Sequence, residues 1–340
     1  MAPVTTGVEQ DDLVMPVIDM TSFLNGSAKE EIGVAIAQAF KQSGFLYLKN
    51  HGIPQSVIDT AFETSAKFFA RPQAQKDELA WTDAKSNRGY VASGREKLAD
   101  LPEDVGTLRE SNPDLKENME IGKEGVEGMP NRWPAHFDEE GENFTTFFKQ
   151  FFNMAHNLNV AVMRAIALGM GIQDECFFDD YINKTDNNLR LLHYPAVAKS
   201  VFQTGQNRVR AGEHSDYGSI TLLFQDSVGG LEVKSPKGTW VRATPIPGTI
   251  VVNAGDLLSR WSNDEIKSTK HRVVQPPPSP EDLENDPNGV FPARYSIAYF
   301  CIPNSEAFIE ALPGTWEASG KKYPGVFSGQ YQVQRLEETY

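Results

Sequence analysis

From residue 188 to residue 302 the chain is a succession of short apolar runs separated by turn residues. Each run is long enough for one strand, and the runs read NLRLLHYP, VRAGEHSDYG, SITLLFQD, GLEVKSP, TWVRATP, GTIVVNAGD, STKHRVVQPP and RYSIAYFCIP. Short strands at such intervals are typical of an all-β sandwich or barrel. Since no helical pattern alternates with these strands, a Rossmann-type parallel sheet is disfavoured.

The helical patterns lie before this strand-rich segment. Between residues 139 and 169, apolar side chains recur every three or four positions and form one face of a helix. They are Phe144, Phe148, Phe151, Ala155, Leu158, Val162 and Ala165. Such a stripe is typical of a helix packed against a core. We therefore predict an α+β, β-rich fold in which a long helix supports a strand-built core.

The chain divides into five consecutive segments of a single unit. We predict a flexible leader (1–14), an N-terminal region of helices and strands (15–135), the long helix with its connection (136–185), the core (186–302) and a C-terminal extension packed on the core (303–340). Within the core, the sequence PPPSPEDLENDPNGVFP (276–292) is rich in proline and acidic residues. It is predicted to form a surface loop.

Charge and composition restrict the class of partner. The 340 residues carry a formal net charge of −14, which argues against a nucleic acid or an anionic membrane surface as the ligand. The N-terminal sequence MAPVTTGVEQDDLVMP lacks the features of a secretory signal. The two cysteines, Cys176 and Cys301, stand in unrelated segments and predict no disulfide framework. We expect a cytoplasmic protein acting on a small molecule, and the sequence leaves its oligomeric state open.

A metal site is indicated by the sequence GEHSDYGSITLLFQD (212–226). His214 and Asp216 are two positions apart, so in an extended chain both side chains project to the same side. His271 lies in another strand of the same half, and the intervening strands of a jelly roll can bring it alongside. Two histidines and one carboxylate on one side of a metal leave the opposite positions open, which is the geometry of non-haem Fe(II) oxygenases.

A second group of residues indicates a buried anion. In the strand RYSIAYF, alternation places Arg294, Ser296 and Phe300 on one face. In NLRLLHYP, Arg190 and Tyr194 likewise share a face. A guanidinium can bind a carboxylate through two parallel hydrogen bonds, and a serine hydroxyl adds a third donor. Because an unpaired charge inside a barrel is costly, these inward polar positions require a ligand or a partner.

Together, these motifs resemble a known family, the 2-oxoglutarate- and Fe(II)-dependent dioxygenases related to isopenicillin N synthase. The HxD…H…RxS pattern of that family corresponds here to His214, Asp216, His271, Arg294 and Ser296. The sequence PVIDM…GFLYLKNHGIP is similar to the family's N-terminal region. The resemblance covers nearly the whole chain, from about residue 14 to the C-terminus.

This resemblance implies a double-stranded β-helix (jelly-roll) core and a set of ligands. Fe(II) would be held by the two histidines and the aspartate, with O2 as an oxidant. The co-substrate 2-oxoglutarate would be held through its distal carboxylate by Arg294, Ser296 and Tyr194. The reaction would release succinate and CO2.

Within the family, the chain looks most similar to fungal members that hydroxylate thymine. The similarity is carried by LRLLHYPAV, RAGEHSDYGSITLLFQD, NAGDLLSRWSND and RYSIAYF. It implies hydroxylation of a C–H bond, expected to be a methyl C–H, of a small flat ring. The residues implied to line the substrate pocket are Asn187, Arg190, Tyr217 and Phe300. Asn187 and Tyr217 rest on the resemblance alone.

Several other functions are compatible with the same residues. The chain could oxidise polyketide-type secondary metabolites, or act as an oxidase of the isopenicillin N synthase type that uses no 2-oxoglutarate. A hydrolytic zinc enzyme would need a positioned general base, and the sequence names none. A cupin-like metal-binding scaffold would be a non-enzymatic alternative, but a structural zinc usually has four protein ligands and only three are predicted.

Overall fold

The computed structural model describes residues 4–94, 114–202, 209–276 and 289–339. The N-terminal half contains β1 (Val4–Gln10), β2 (Leu13–Asp19), α1 (Thr21–Leu24), α2 (Lys29–Gln42), β3 (Phe45–Lys49), α3 (Gln55–Phe69), α4 (Gln73–Glu78), β4 (Gly89–Val91) and β5 (Glu117–Gly122). It is followed by the long helix α5 (Glu139–Gly169) and the short helix α6 (Asp179–Ile182).

The C-terminal half is built mainly from strands. They are β6 (Asn188–Tyr194), β7 (Val197–Ala198), β8 (Ala211–His214), β9 (Ile220–Gln225), β10 (Leu231–Lys234), β11 (Trp240–Arg242), β12 (Thr249–Ala254), β13 (His271–Val273), β14 (Val290–Phe291), β15 (Arg294–Cys301), β16 (Phe308–Ile309) and β17 (Val326–Phe327). Two helices, α7 (Asp256–Trp261) and α8 (Ser328–Thr339), belong to the same half.

Two sheets enclose the core. The larger has nine strands in the order β1-β2-β3-β12-β9-β15-β6-β5-β4, and the smaller has four in the order β11-β10-β13-β8. Apolar residues of both sheets meet in one buried cluster, which includes Leu192 and Ala298 of the large sheet and Leu231 and Val273 of the small one. The predicted jelly-roll core is confirmed, and its interior is the space between the two sheets.

Helix α5 packs on the outer face of the large sheet. Its N-cap residue Asp138 accepts a hydrogen bond from the backbone N–H of Gly141 at 2.8 Å, which satisfies one of the free donors of the first turn. The aromatic stripe predicted from the sequence is buried there, and the ring of Phe151 meets that of Phe224 of β9 at 5.2 Å. The prediction of a long supporting helix is therefore confirmed.

The first residues of the chain differ from the prediction of a flexible leader. Residues 4–10 form strand β1, which pairs antiparallel with β2. The loop between them consists of Asp11 and Asp12, with φ values of 52° and 64°. A two-residue loop with both residues at positive φ matches the right-handed twist of a hairpin. The polar composition of β1 suits an exposed edge strand, and this composition led to the incorrect prediction.

The predicted surface loop at 276–292 lies largely outside the described residues, which end at 276 and resume at 289. Its last part is a strand, because Val290 and Phe291 form β14 and pair with β7. The C-terminal extension contains the β16–β17 hairpin and helix α8. Among the helices in the described ranges, none combines the length and apolar character needed to cross a membrane.

Glu117 of β5 joins three elements on the helix-facing side of the large sheet. Its carboxylate accepts hydrogen bonds from Lys76 Nζ of α4 at 2.9 Å and from Tyr90 Oη of β4. His193 Nδ1 of β6 lies 2.7 Å away. Burial alone would raise the pKa of Glu117, but the hydrogen bonds from His193, Tyr90 and Lys76 hold this pKa below its ordinary value.

We expect Glu117→Ala to lower the free energy of unfolding by about 3 kcal/mol at pH 7, because the buried Lys76 loses its counter-charge. Because the pKa of Glu117 is lowered in the folded protein, its carboxylate contributes stability above pH 4.5, which is the ordinary pKa of the group. This stability is lost as the pH falls through the lower pKa of the folded state. Urea unfolding at pH 7 and at pH 4 measures both effects. Glu78→Ala, which removes an exposed pair with His136, should cost less than about 0.5 kcal/mol. Equal losses in the two variants would contradict the assignment.

Candidate metal centre and cavity

The three predicted metal ligands come together at one end of the small sheet. His214 is the last residue of β8 and His271 the first of β13, and the two residues face each other in the antiparallel register. Their ring centroids are 4.3 Å apart. Asp216 Oδ1 lies 3.9 Å from His214 Nε2 and 3.7 Å from His271 Nε2. One ligand atom from each residue lies within 4.8 Å of the others, close enough to hold one ion.

Asp216 reaches the site from a turn. Strand β8 ends at His214, so the HxD motif occupies the end of a strand, whereas alternation within a strand was assumed from the sequence. The turn is held by the backbone N–H of Asp256, which donates to the carbonyl of Asp216 at 2.8 Å. The geometry expected for the pair is preserved although the local structure differs.

Hydrogen bonds orient each ligand toward a common point. His214 Nδ1 is 2.8 Å from the carbonyl of Gly212 and must carry the proton, because a carbonyl only accepts; Nε2 is therefore left to bind a metal. Asp216 Oδ2 accepts from Thr221 Oγ1 at 2.5 Å and from Asn253 Nδ2 at 2.7 Å, which leaves Oδ1 for the metal. Such outer contacts fix the tautomer and orientation of metal ligands.

The protonation states suit a divalent cation. Burial lowers the pKa of His214 to about 3, so its imidazole is neutral at pH 7 and has a free lone pair. Burial alone would raise the pKa of Asp216, but the neighbouring His271 and His214 and the bonds from Asn253 and Thr221 bring it below its ordinary value. The imidazoles of His214 and His271 and one carboxylate, all on one side of the ion, fit the facial triad of non-haem Fe(II).

The three residues predicted to hold a carboxylate also lie together. Arg294 of β15 faces Tyr194 of β6 in the sheet register, and its guanidinium carbon lies 4.8 Å from the centre of the tyrosine ring. Arg294 Nη1 donates to Ser296 Oγ at 3.1 Å. Arg294 is 1% exposed, and its Nε has no hydrogen-bond partner in the described parts of the chain. A buried guanidinium with a free donor is suited to binding an anion.

A small cavity opens beside the metal ligands. Its lining includes His214 and Asp216 together with three of the four residues predicted for a substrate pocket: Arg190, Tyr217 and Phe300. The guanidinium carbon of Arg190 lies 5.3 Å from the centre of the Phe300 ring. Arg190 also forms an ion pair with Glu120 of β5, a fully buried carboxylate that the sequence analysis did not identify.

Asn187, the fourth predicted pocket residue, does not line this cavity. Its Nδ2 donates to Tyr299 Oη at 3.0 Å, and its Oδ1 accepts from the backbone N–H of Ile302 at 2.8 Å. It borders a larger groove outside the cavity. Asn188 lines the cavity instead. Residues two apart on a strand share a face, so alternation from Arg190 selects Asn188, and this signal was available in the sequence.

Helix α8 closes one side of the cavity, and no sequence motif pointed to it. Gln332 and Leu336 contribute to the lining. Arg335 places its guanidinium carbon 4.5 Å from the centre of the Tyr217 ring and pairs with Asp256 Oδ2 of α7 at 2.8 Å. The C-terminal extension therefore packs on the core at the candidate site and forms part of the cavity wall.

Comparison with known sequences agrees with this geometry. Residues 15–137 match the family described as "non-haem dioxygenase in morphine synthesis N-terminal". Residues 185–303 match the 2OG-Fe(II) oxygenase superfamily. The 2-oxoglutarate-Fe(II) type oxidoreductase ppzD of Metarhizium rileyi is 33% identical over 95% of this chain and 90% of its own length. The proline hydroxylase buaE of Petromyces alliaceus is 34% identical over 95% of this chain and 98% of its own length.

Solved structures of the same family are similar to this chain at higher sequence identity. The full-length Neurospora crassa thymine 7-hydroxylase in complex with alpha-KG and thymine is 52% identical, with a TM-score of 0.90, over 99% of this chain and 100% of that one. Its complex with alpha-KG and 5-formyluracil gives 50% identity and a TM-score of 0.87, over 98% and 99% of the two chains. The chain therefore belongs to the 2-oxoglutarate- and Fe(II)-dependent oxygenases, and it is an oxidoreductase that uses Fe(II), 2-oxoglutarate and O2.

Proposed function

We propose that this enzyme hydroxylates the methyl group of thymine or of a closely related pyrimidine, with release of succinate and CO2. The observation that carries the proposal is the cavity, in which Tyr217, Phe300 and Arg190 meet the metal ligands His214 and Asp216. The Neurospora crassa enzyme that binds thymine shares 52% of its residues with this chain, which supports the same class of substrate here.

The cavity residues have chemistry suited to a pyrimidine. Tyr217 and Phe300 offer aromatic faces for a flat ring, and such stacking is favourable in offset geometry. Arg190 offers N–H donors to a ring carbonyl, with Glu120 holding the guanidinium in place. Leu336 of α8 covers the cavity and keeps water from the reacting carbon.

The remaining residues of the proposed site hold the co-substrate and the metal. Arg294, Ser296 and Tyr194 would bind the distal carboxylate of 2-oxoglutarate, while His214, Asp216 and His271 would hold Fe(II). Bound there, the iron would supply the activation of O2 that is coupled to oxidative decarboxylation of 2-oxoglutarate. The protein contributes positioning and a dry cavity.

A second candidate substrate class is a larger secondary metabolite. A groove of about 930 Å³ adjoins the cavity and shares Asn188, Ile302, Gln332 and Leu336 with its lining. This space could accept a substrate that extends beyond a single ring. The fungal relatives ppzD and buaE are 33% and 34% identical, below the 52% of the Neurospora enzyme, and the thymine-like substrate is therefore favoured.

The proposal is tested by succinate release from the purified protein supplied with Fe(II), 2-oxoglutarate and O2. We expect thymine to accelerate succinate release and to yield a hydroxymethyl product in equal amount. Uracil, which lacks the methyl group, is the matched control substrate: it should fill the cavity but give no hydroxymethyl product.

The other outcomes would redirect the assignment. Slow succinate release that thymine does not accelerate would contradict the thymine-like substrate and favour a larger metabolite. Substrate oxidation without succinate would favour an oxidase of the isopenicillin N synthase type.

Asn188 and Asn187 are expected to respond differently to substitution. Asn188→Ala should raise the KM for thymine about tenfold, as expected for the loss of one hydrogen bond in a cavity, and should lose less stability than Asn187→Ala, because the bond that it gives up is the long one from its Nδ2 to the carbonyl of Asn87 at 3.2 Å. Asn187→Ala should lower the free energy of unfolding by about 1–3 kcal/mol, because the Ile302 N–H loses its acceptor, and should leave KM near the wild-type value. Steady-state kinetics and urea unfolding measure the two effects. The reverse pattern would restore Asn187 as the pocket residue.

A further inference from the structure

Arg210 is a fully buried arginine that the proposed site does not yet include. It is 0% exposed, and its Nη2 donates to the carbonyl of Pro292 at 3.1 Å. Its Nε and Nη1 have no hydrogen-bond partner among the residues that the structure describes. A guanidinium stays protonated in proteins, and an unsatisfied buried donor is destabilising. Two such donors on one charged side chain therefore require an explanation.

The position of Arg210 links it to the carboxylate-binding residues. Its backbone N–H donates to the carbonyl of Val273 at 2.8 Å, at the end of β13 away from His271. Its side-chain partner Pro292 is two residues before Arg294, at the start of β15. Arg210 is thus attached to the strands that carry a metal ligand and the guanidinium of the RxS motif.

Within the described ranges, the charges around Arg210 do not balance. The nearby acid is Asp226, whose carboxylate is already bound by the backbone N–H groups of Tyr295 at 2.6 Å and Val228 at 3.0 Å. Both Arg210 and Arg294 act electrostatically on Asp226. Burial and the charge of Arg294 lower the pKa of Arg210. Two buried guanidinium groups thus act on one carboxylate, and one further negative charge would compensate the excess of positive charge.

We infer that Arg210 is a second cation for the distal carboxylate of 2-oxoglutarate, acting beside Arg294. The inference rests on the co-substrate role proposed above for Arg294. Without the co-substrate, the protein carries two like charges in its interior. With it, the free donors of both guanidinium groups gain an anion, so that Arg210 contributes to co-substrate affinity at a cost to the stability of the unliganded fold.

The test is the Kd of 2-oxoglutarate for the Mn(II)-loaded protein under argon, measured by calorimetry without turnover. Arg210→Met should raise this Kd about 30- to 100-fold, the lower part of the range for a buried charged contact, because Arg294 remains to bind the carboxylate. The melting temperature of the unliganded variant should equal or exceed that of the wild type, because a repulsive charge is removed. Arg210→Lys, which keeps the charge but not the fork of donors, should recover part of the affinity.

Arg71→Met is the matched control. Arg71 is also a buried arginine, but it pairs with Asp138 at 2.6 Å at the start of α5. Its substitution should lower the melting temperature and leave the Kd of 2-oxoglutarate unchanged. Arg210→Met with a Kd within twofold of the wild type would overturn the inference, whatever its melting temperature.

Two further outcomes separate this inference from the proposed function. If Arg210→Met folds poorly, Arg210→Lys decides: a Kd raised by threefold or more at a normal melting temperature supports the contact, and an unchanged Kd refutes it. If the wild-type protein does not bind 2-oxoglutarate, the co-substrate role itself fails. If Arg294→Ala weakens binding and Arg210→Met does not, only the role of Arg210 fails.

Discussion

Asp216→Ala is expected to reduce turnover by at least a thousandfold while the fold is retained. The substitution removes the only carboxylate of the triad, and two imidazoles alone neither neutralise the ion nor fix three positions around it. The cost to folding should be about 1–3 kcal/mol for each buried donor left unsatisfied, here the donors of Asn253 and Thr221. Succinate release, bound Fe(II) and urea unfolding measure the three effects.

The neighbouring acid Glu213 provides a matched control for this substitution. It lies one residue before His214, but its carboxylate pairs with Lys234 at 2.9 Å on the outside of the small sheet. Glu213→Ala should retain wild-type turnover and iron content. Retained turnover in Asp216→Ala would falsify the ligand assignment, and loss of folding in that variant would mean that the carboxylate is primarily structural.

The interior of the jelly roll has two sites with opposite requirements. The triad of His214, Asp216 and His271 is suited to a cation, while Arg294 beside Ser296 and Tyr194 is suited to an anion. A co-substrate with a metal-binding keto acid at one end and a carboxylate at the other satisfies both. The net charge of −14 therefore does not oppose an anionic co-substrate, because the local charge at the buried site is positive.

Strand alternation was sufficient to predict most of this interior. The side chains of Arg294 and Ser296 share a face because they are two apart on one strand, and Arg190 and Tyr194 do so on its neighbour. Their strands pair directly in the structure, which places all four on the inner side of the large sheet. A period of two depends only on backbone geometry, so it can be read without knowing the fold.

The features that were missed depend on register or on long-range packing. Asn188 lines the cavity and was not identified from the sequence, because a shift of one residue reverses the face of a strand; the substrate contact of Asn187 stays a prediction. Arg210 precedes a register shift between β8 and β13. Strand alternation counted back from His214 therefore does not predict to which face the side chain of Arg210 projects. Leu336 reaches the cavity only because α8 packs on α7, more than 100 residues beyond the HxD motif, and no local pattern encodes that contact.

Arg294→Ala is expected to raise the KM for 2-oxoglutarate at least about thirtyfold, with a much smaller effect on the KM for the primary substrate. The buried guanidinium is proposed to bind the distal carboxylate, and truncating one partner of a buried charged contact costs about 2–5 kcal/mol. Phe300 and Tyr217 are unchanged in this variant, so ring binding should persist. The KM values are obtained by varying each substrate at saturating concentrations of the other.

Two variants determine whether the effect belongs to the bound carboxylate. Arg294→Lys should fall between alanine and the wild type, because an ammonium keeps the charge but cannot form two parallel hydrogen bonds. Arg164→Ala removes an ion pair between Arg164 of α5 and Asp179 of α6 and should leave both KM values unchanged. An unchanged KM for 2-oxoglutarate in Arg294→Ala would contradict the carboxylate contact. Another group would then have to bind the distal carboxylate of 2-oxoglutarate, and the buried guanidinium of Arg210 would be the next candidate.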